Sequence, residues 1–148
     1  MSNFIGQSMD HHDGCMRFKV KGDTVAAIGD IAVFSAGYVT VGSAAASLKI
    51  VGTFAEAVDT TGAADGADFG GYVGPMVNLP LDRRIFWFDN ASAGDAIVQA
   101  DVGVKPAYID GAHQVTDTTT TRSIAGDIIK LSADATKVCV AIKPLGAA

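Results

Sequence analysis

Lys137-Val138-Cys139-Val140-Ala141-Ile142 is the stretch that decides the fold. In an extended strand, Val138, Val140 and Ile142 share one face, and Cys139 and Ala141 share the other. Both faces are apolar, so the strand is expected to be covered on two sides. A second stretch, Arg84-Ile85-Phe86-Trp87-Phe88-Asp89-Asn90, reads the same way. Phe86 and Phe88 point to one side as core residues, and Trp87 points to the other.

Outward from these two runs, short apolar segments recur between turn residues, and helical periodicity is weak throughout. Strands are expected over residues 18–20, 24–28, 31–34, 38–41, 48–54, 84–88, 107–109, 124–131 and 137–142. Gly22-Asp23, Gly29-Asp30, Gly94-Asp95 and Gly126-Asp127 each precede an apolar run. Glycine supplies positive φ without steric cost, and aspartate closes the turn on nearby amides. Residues 43–47, 59–71 and 117–121 read as loops, and one short helix is expected over residues 95–102, capped by Asp95 and ended by Gly103. The fold class is mainly β, a small β-barrel or β-sandwich with at most one short helix.

At 148 residues the chain is expected to form one domain. Hydrophobic residues make up 49% and charged residues 18%, a balance that excludes general disorder. The net charge of −5 disfavours long-range attraction to nucleic acid. No run of ~20 apolar residues could span a membrane as a helix, and residues 1–7 do not read as a signal peptide. Residues 1–15 are polar and turn-prone, and residues 1–21 are expected to be an N-terminal arm, extended or ordered on assembly. Residues 22–148 then form the β-rich domain.

Candidate chemistry is sparse. Asp10-His11-His12-Asp13-Gly14-Cys15 gathers metal-ligating side chains, but adjacent histidines diverge and no second cluster completes a site, so no metal or other cofactor is expected. Two cysteines, Cys15 and Cys139, make no disulfide framework, and pairing between them is not expected. There is no Gly-x-Ser-x-Gly elbow and no phosphate loop. Asp59 with Asp65, or Asp82 with Asp89, reads as turn caps rather than as catalytic pairs. The expected class is a non-catalytic interaction module.

Two features could carry interaction. Arg17, Lys19 and Lys21 recur at spacing two, either as a solvated strand face or as a contact to an acidic partner. Trp87 either caps its own core or anchors an interface, since Trp is enriched at binding hot spots.

The order of several short elements resembles the capsid cement, or head-decoration, proteins of tailed bacteriophages. Gly52, Phe54, Ala55, Val58, Asp59, Thr61 and Gly62 occupy the family's glycine–aromatic–Ala…Val-Asp…Thr-Gly element, with Phe54 offset by one. Asp101, Val102, Gly103, Ala107, Tyr108 and Asp110 are similar to a second element, and Arg122, Ala125 and Gly126 to a third. Residues 69–83 depart from the family, where an alternating strand would stand. The resemblance covers residues 22–142 and implies a virion protein on the capsid exterior, made in the host cytoplasm. It further implies the major capsid protein as partner, self-association as a homotrimer, and a mechanical role against internal DNA pressure. On that reading residues 1–21 reach over a neighbouring subunit, and Arg17, Lys19 and Lys21 pair with acidic capsid surface. Two alternatives are another virion part, such as a head-completion or tail protein, and a carbohydrate-binding β-sandwich with Trp87 as stacking platform.

Overall fold

Short β-branched and aromatic runs, cut every few residues by turns, leave little room for helix, and the chain is mainly β. The computed structural model describes residues 11–12, 14–81 and 84–144. In chain order the first strands are β1 (His11–His12), β2 (Cys15–Arg17), β3 (Val25–Ala26), β4 (Ile31–Ser35) and β5 (Tyr38–Val41). There follow β6 (Lys49–Phe54), β7 (Val58–Asp59), β8 (Met76–Asn78) and β9 (Ile85–Asn90). The last are β10 (Pro106–Ile109), β11 (Gln114–Thr116), β12 (Ile124–Leu131) and β13 (Lys137–Ala141).

Six of them form an antiparallel sheet in the order β1-β2-β8-β6-β4-β5. The tight β4–β5 hairpin turns on Ala36 and Gly37, both at positive φ, the geometry that matches strand twist in a two-residue loop. Five more close into a barrel in the order β10-β11-β9-β13-β12, with β11 and β9 as its one parallel pair. β3 and β7 form a separate two-stranded ribbon.

The pleat divides the core in two. Ile31, Val33 and Ile50 of the sheet pack with Phe88, Ile109, Val115, Ile128, Val138 and Val140 of the barrel. Ala32, Val51 and Phe54 pack on the opposite side with Val20, Ala26, Val58 and Val77. A register shift opposite Ala32 and Val33 makes this possible, since it lets Val51 and Phe54 enter the same cluster despite their odd separation. The two halves are also stitched by hydrogen bonds. The Ile31 amide donates to the Ala112 carbonyl, the Leu48 amide to Ser123 Oγ, and Ser123 Oγ to the Ala45 carbonyl.

The segment expected as a helix over residues 95–102 is two 3₁₀ turns, Ala93–Asp95 and Gln99–Asp101. Asn90 is the reason. Its amide donates to the Ile97 carbonyl and its oxygen accepts the Ile97 amide, which holds Ile97 outside both turns and buried at 1% exposure. Gly103 does end the segment at φ +75°.

Of the expected arm, residues 1–10 and 13 lie outside the described residues. Residues 14–21 belong to the folded body: β2 pairs with β8, and Val20 is buried and bridged to Val39. No disulfide joins Cys15 to Cys139; Cys15 Sγ instead lies 3.0 Å from Asn78 Oδ1. No helix among the described residues is long and apolar enough to cross a membrane.

Candidate interaction surface

The outer wall of the barrel presents apolar side chains at the positions its alternation leaves outside. On β9, Phe86 and Phe88 turn inward and stack with ring centroids 6.4 Å apart, which sends Ile85, Trp87 and Asp89 outward. Their cross-strand neighbours on β13 are Ala141, Cys139 and Lys137. On β12 the register slips between Ile128 and Lys130, so Ile129 and Lys130 both face out beside Cys139. Ile85 is 48% exposed and Trp87 44% on β9, and Ile129 is 45% exposed on β12, with β13 between the two strands.

Two features frame this wall. An ion pair between Lys137 and Asp89 closes one end of it. Cys139, opposite Trp87, is almost buried, and burial pushes its thiol pKa up despite the opposing field of Lys130. A thiol held in that form is a poor nucleophile and serves as packing. Trp87, expected either to cap the core or to anchor an interface, thus stands outside the barrel while Phe88 fills it.

The three basic residues do not form one exposed face. Arg17 folds back onto the protein: its side chain is 9% exposed, and Nη1 donates to the Gly74 carbonyl at 2.8 Å. The guanidinium lies 3.8 Å from the centre of the Tyr72 ring and 3.5 Å from Glu56 Oε1. Lys19 is exposed and Lys21 half-buried, and their backbones pair with Val39 of β5. The fold keeps these lysines on the six-stranded sheet and Trp87 on the barrel, so it does not bring the predicted residues together. Arg17 is a packing cation, not a surface one, because the loop carrying Tyr72 and Gly74 covers it.

Of the aspartates weighed as catalytic pairs, Asp59 and Asp65 hold loop backbone, and Asp89 is the β9 partner of Lys137. Asp59 accepts the amide and hydroxyl of Thr61, and these bonds lower its pKa. Asp65 accepts the Gly22 amide. Asp82 lies outside the described residues, as do Asp10 and Asp13 of the histidine-containing segment. No three His, Cys, Asp or Glu side chains among the described residues gather as a metal site.

Sequence reading did not find one carboxylate pair in contact, Asp101 with Asp117. Asp101 is buried, accepts the Val98 amide at 3.1 Å and pairs with Lys105 at 3.2 Å. The Val98 amide holds its pKa below the ordinary carboxylate value against the cost of burial. Burial, then Asp101 itself, pushes Asp117 up. The pair ties the second 3₁₀ turn to the loop after β11, and among the described residues no hydroxyl or thiol is bonded to it. The two stand sixteen positions apart, with no motif between them to signal the contact.

In comparisons with known proteins, the chain matches no family model, no curated protein sequence and no solved structure. The likeness to phage decoration proteins therefore rests on the order of its short sequence elements.

Proposed function

We propose that this protein is a non-catalytic capsid decoration protein of a tailed bacteriophage, docking through the outer wall of its barrel. The observation that carries the docking is the apolar wall around Trp87, with Ile85 on the same strand and Ile129 across β13 about half exposed. Aromatic side chains surrounded by smaller apolar neighbours are the usual anchors of protein interfaces. The order of the elements at residues 52–62, 101–110 and 122–126 supports the choice of a phage head as the place of docking.

The work is mechanical. A protein that binds intact shells and not ruptured ones shifts the equilibrium toward the intact shell by mass action. The partner is the major capsid protein, with self-association as a homotrimer multiplying the contacts of each copy.

Co-sedimentation with expanded, undecorated capsids tests this reading, with unexpanded proheads as control. Saturable binding to expanded shells alone is expected. Binding to neither would remove it.

The half-exposed Trp87 on the outer face of β9 also favours a second reading, a carbohydrate platform. Saturable quenching of its fluorescence by added oligosaccharide would support that alternative, and no quenching would end it.

A further inference from the structure

A second surface, separate from the Trp87 wall, lies where the six-stranded sheet meets the barrel. It is a groove of about 540 Å³ between the start of β6 and the start of β12. That size falls within the range of ordinary binding sites.

Its charge runs against the protein's. The chain carries 16 acidic and 11 basic residues. Among the described residues, the charged ones lining the groove are Lys49, Arg122, Lys143 and one carboxylate, Asp127.

Arg122 is held in place, since Nε donates to Asp110 at 2.8 Å and Nη1 to the Thr120 carbonyl at 2.9 Å. Nη2 has no acceptor among the described residues. A guanidinium fixed on one side with donors left on the other is preorganised for a carboxylate. Lys49 is exposed and has no ion-pair partner among the described residues. Between the cations stands apolar surface from Leu48 and Ile124, the latter 54% exposed. The walls are fixed to one another by the Leu48–Ser123–Ala45 hydrogen bonds, so little ordering is required on binding.

We propose that this groove binds an extended acidic peptide segment of a partner protein, with a carboxylate on Arg122 and Lys49 and an apolar side chain on Leu48 and Ile124. Charge alone would suit a small anion. The exposed apolar strip beside the cations, along an open cleft, instead matches a chain whose side chains alternate. The inference is independent of the capsid reading, because the groove's chemistry selects the segment whatever protein carries it.

The test is an amide-shift NMR titration of the full chain with capped Glu-Ile-Glu-Ile-Glu, with Lys-Ile-Lys-Ile-Lys and inorganic phosphate as controls. Saturable shifts at Lys49 and from Arg122 to Asp127 are expected with the acidic peptide only. Binding should weaken about tenfold in Lys49→Glu and as salt is raised, and tighten in Asp127→Asn. Both substituted positions are exposed, so the fold survives the changes. Arg122→Glu would strand Asp110 and is avoided. No shifts with the acidic peptide, equal shifts with the basic one, or the same shifts with phosphate alone would each overturn the proposal.

Discussion

Replacing Arg17 by alanine separates a packing cation from a docking cation. Among the described residues, three contacts would be lost together. The hydrogen bond to the Gly74 carbonyl, 2.8 Å long and made by a charged donor, is of a class worth about 1.5–3 kcal/mol. The stacking on Tyr72 at 3.8 Å adds about 0.5–2 kcal/mol on a largely desolvated guanidinium. The Glu56 pair is 3.5 Å long with Glu56 35% exposed, so it adds about 0–1 kcal/mol. One guanidinium makes all three, so they do not simply add, and Arg17→Ala should cost about 2–4 kcal/mol. For a chain of this size that lowers Tm by about 4–16 °C. Urea unfolding, with an unchanged m-value, measures the loss directly. Arg17→Lys should recover only part of it, since an ammonium cannot stack and bond in the same plane. Capsid binding of the folded variant should match the wild type. A stability change under about 0.5 kcal/mol, accompanied by a tenfold loss of capsid binding, would refute this placement of Arg17.

Other consequences follow from single contacts. A Cβ added at Gly52 would collide with the Asn78 carbonyl oxygen across the β6–β8 ladder. Gly52→Ala should therefore part these strands and cost at least about 3 kcal/mol, visible as a lost urea midpoint or insoluble expression. Asp117 has a raised pKa in the folded state, so its contribution favours folding at low pH and is lost as pH rises through that value. Asp117→Asn should accordingly stabilise the protein at pH 7, with the gain vanishing in acid; an unchanged or lower midpoint at pH 7 would count against the pair. Asp134 is held at a pKa of about 2, first by the Thr136 hydroxyl, then by the Thr136 amide and Ser132. Its depressed pKa stabilises the β12–β13 turn above the unfolded value of 3.8, and that is lost as pH falls through about 2. NMR titration of the Asp134 carboxyl should show that midpoint, and a value near 4 would contradict the hydrogen bonds.

The barrel was legible where a strand has one buried and one outer face over five or more residues. β9 is such a strand, and its alternation identifies Phe86 and Phe88 as one side; β13 is instead buried at Val138, Cys139 and Val140, in keeping with its two apolar faces. β8 and β11 were not legible, because Met-Val-Asn and Gln-Val-Thr are too short to carry a period. The parallel pairing of β11 with β9 leaves no local mark at all. Arg17 was misread for a related reason. Spacing two gives the face of a strand but not what lies over that face, and Tyr72 arrives from a distant loop. The helix expected over residues 95–102 failed because Asn90 competes for the Ile97 backbone. Trp87 could be assigned to the face opposite Phe88, but only closure of the barrel decided that this face is the outside. The groove is beyond local reading, since its walls come from residues 47–50 and 122–127.

The docking wall is tested most directly by hydroxyl-radical footprinting of the protein free and bound to expanded capsids. The account predicts that oxidation of Trp87, Ile85 and Ile129 drops sharply on the shell, while Lys19 on the six-stranded sheet keeps its rate. Trp87 oxidised equally in both states, with protection confined to the six-stranded sheet, would contradict it.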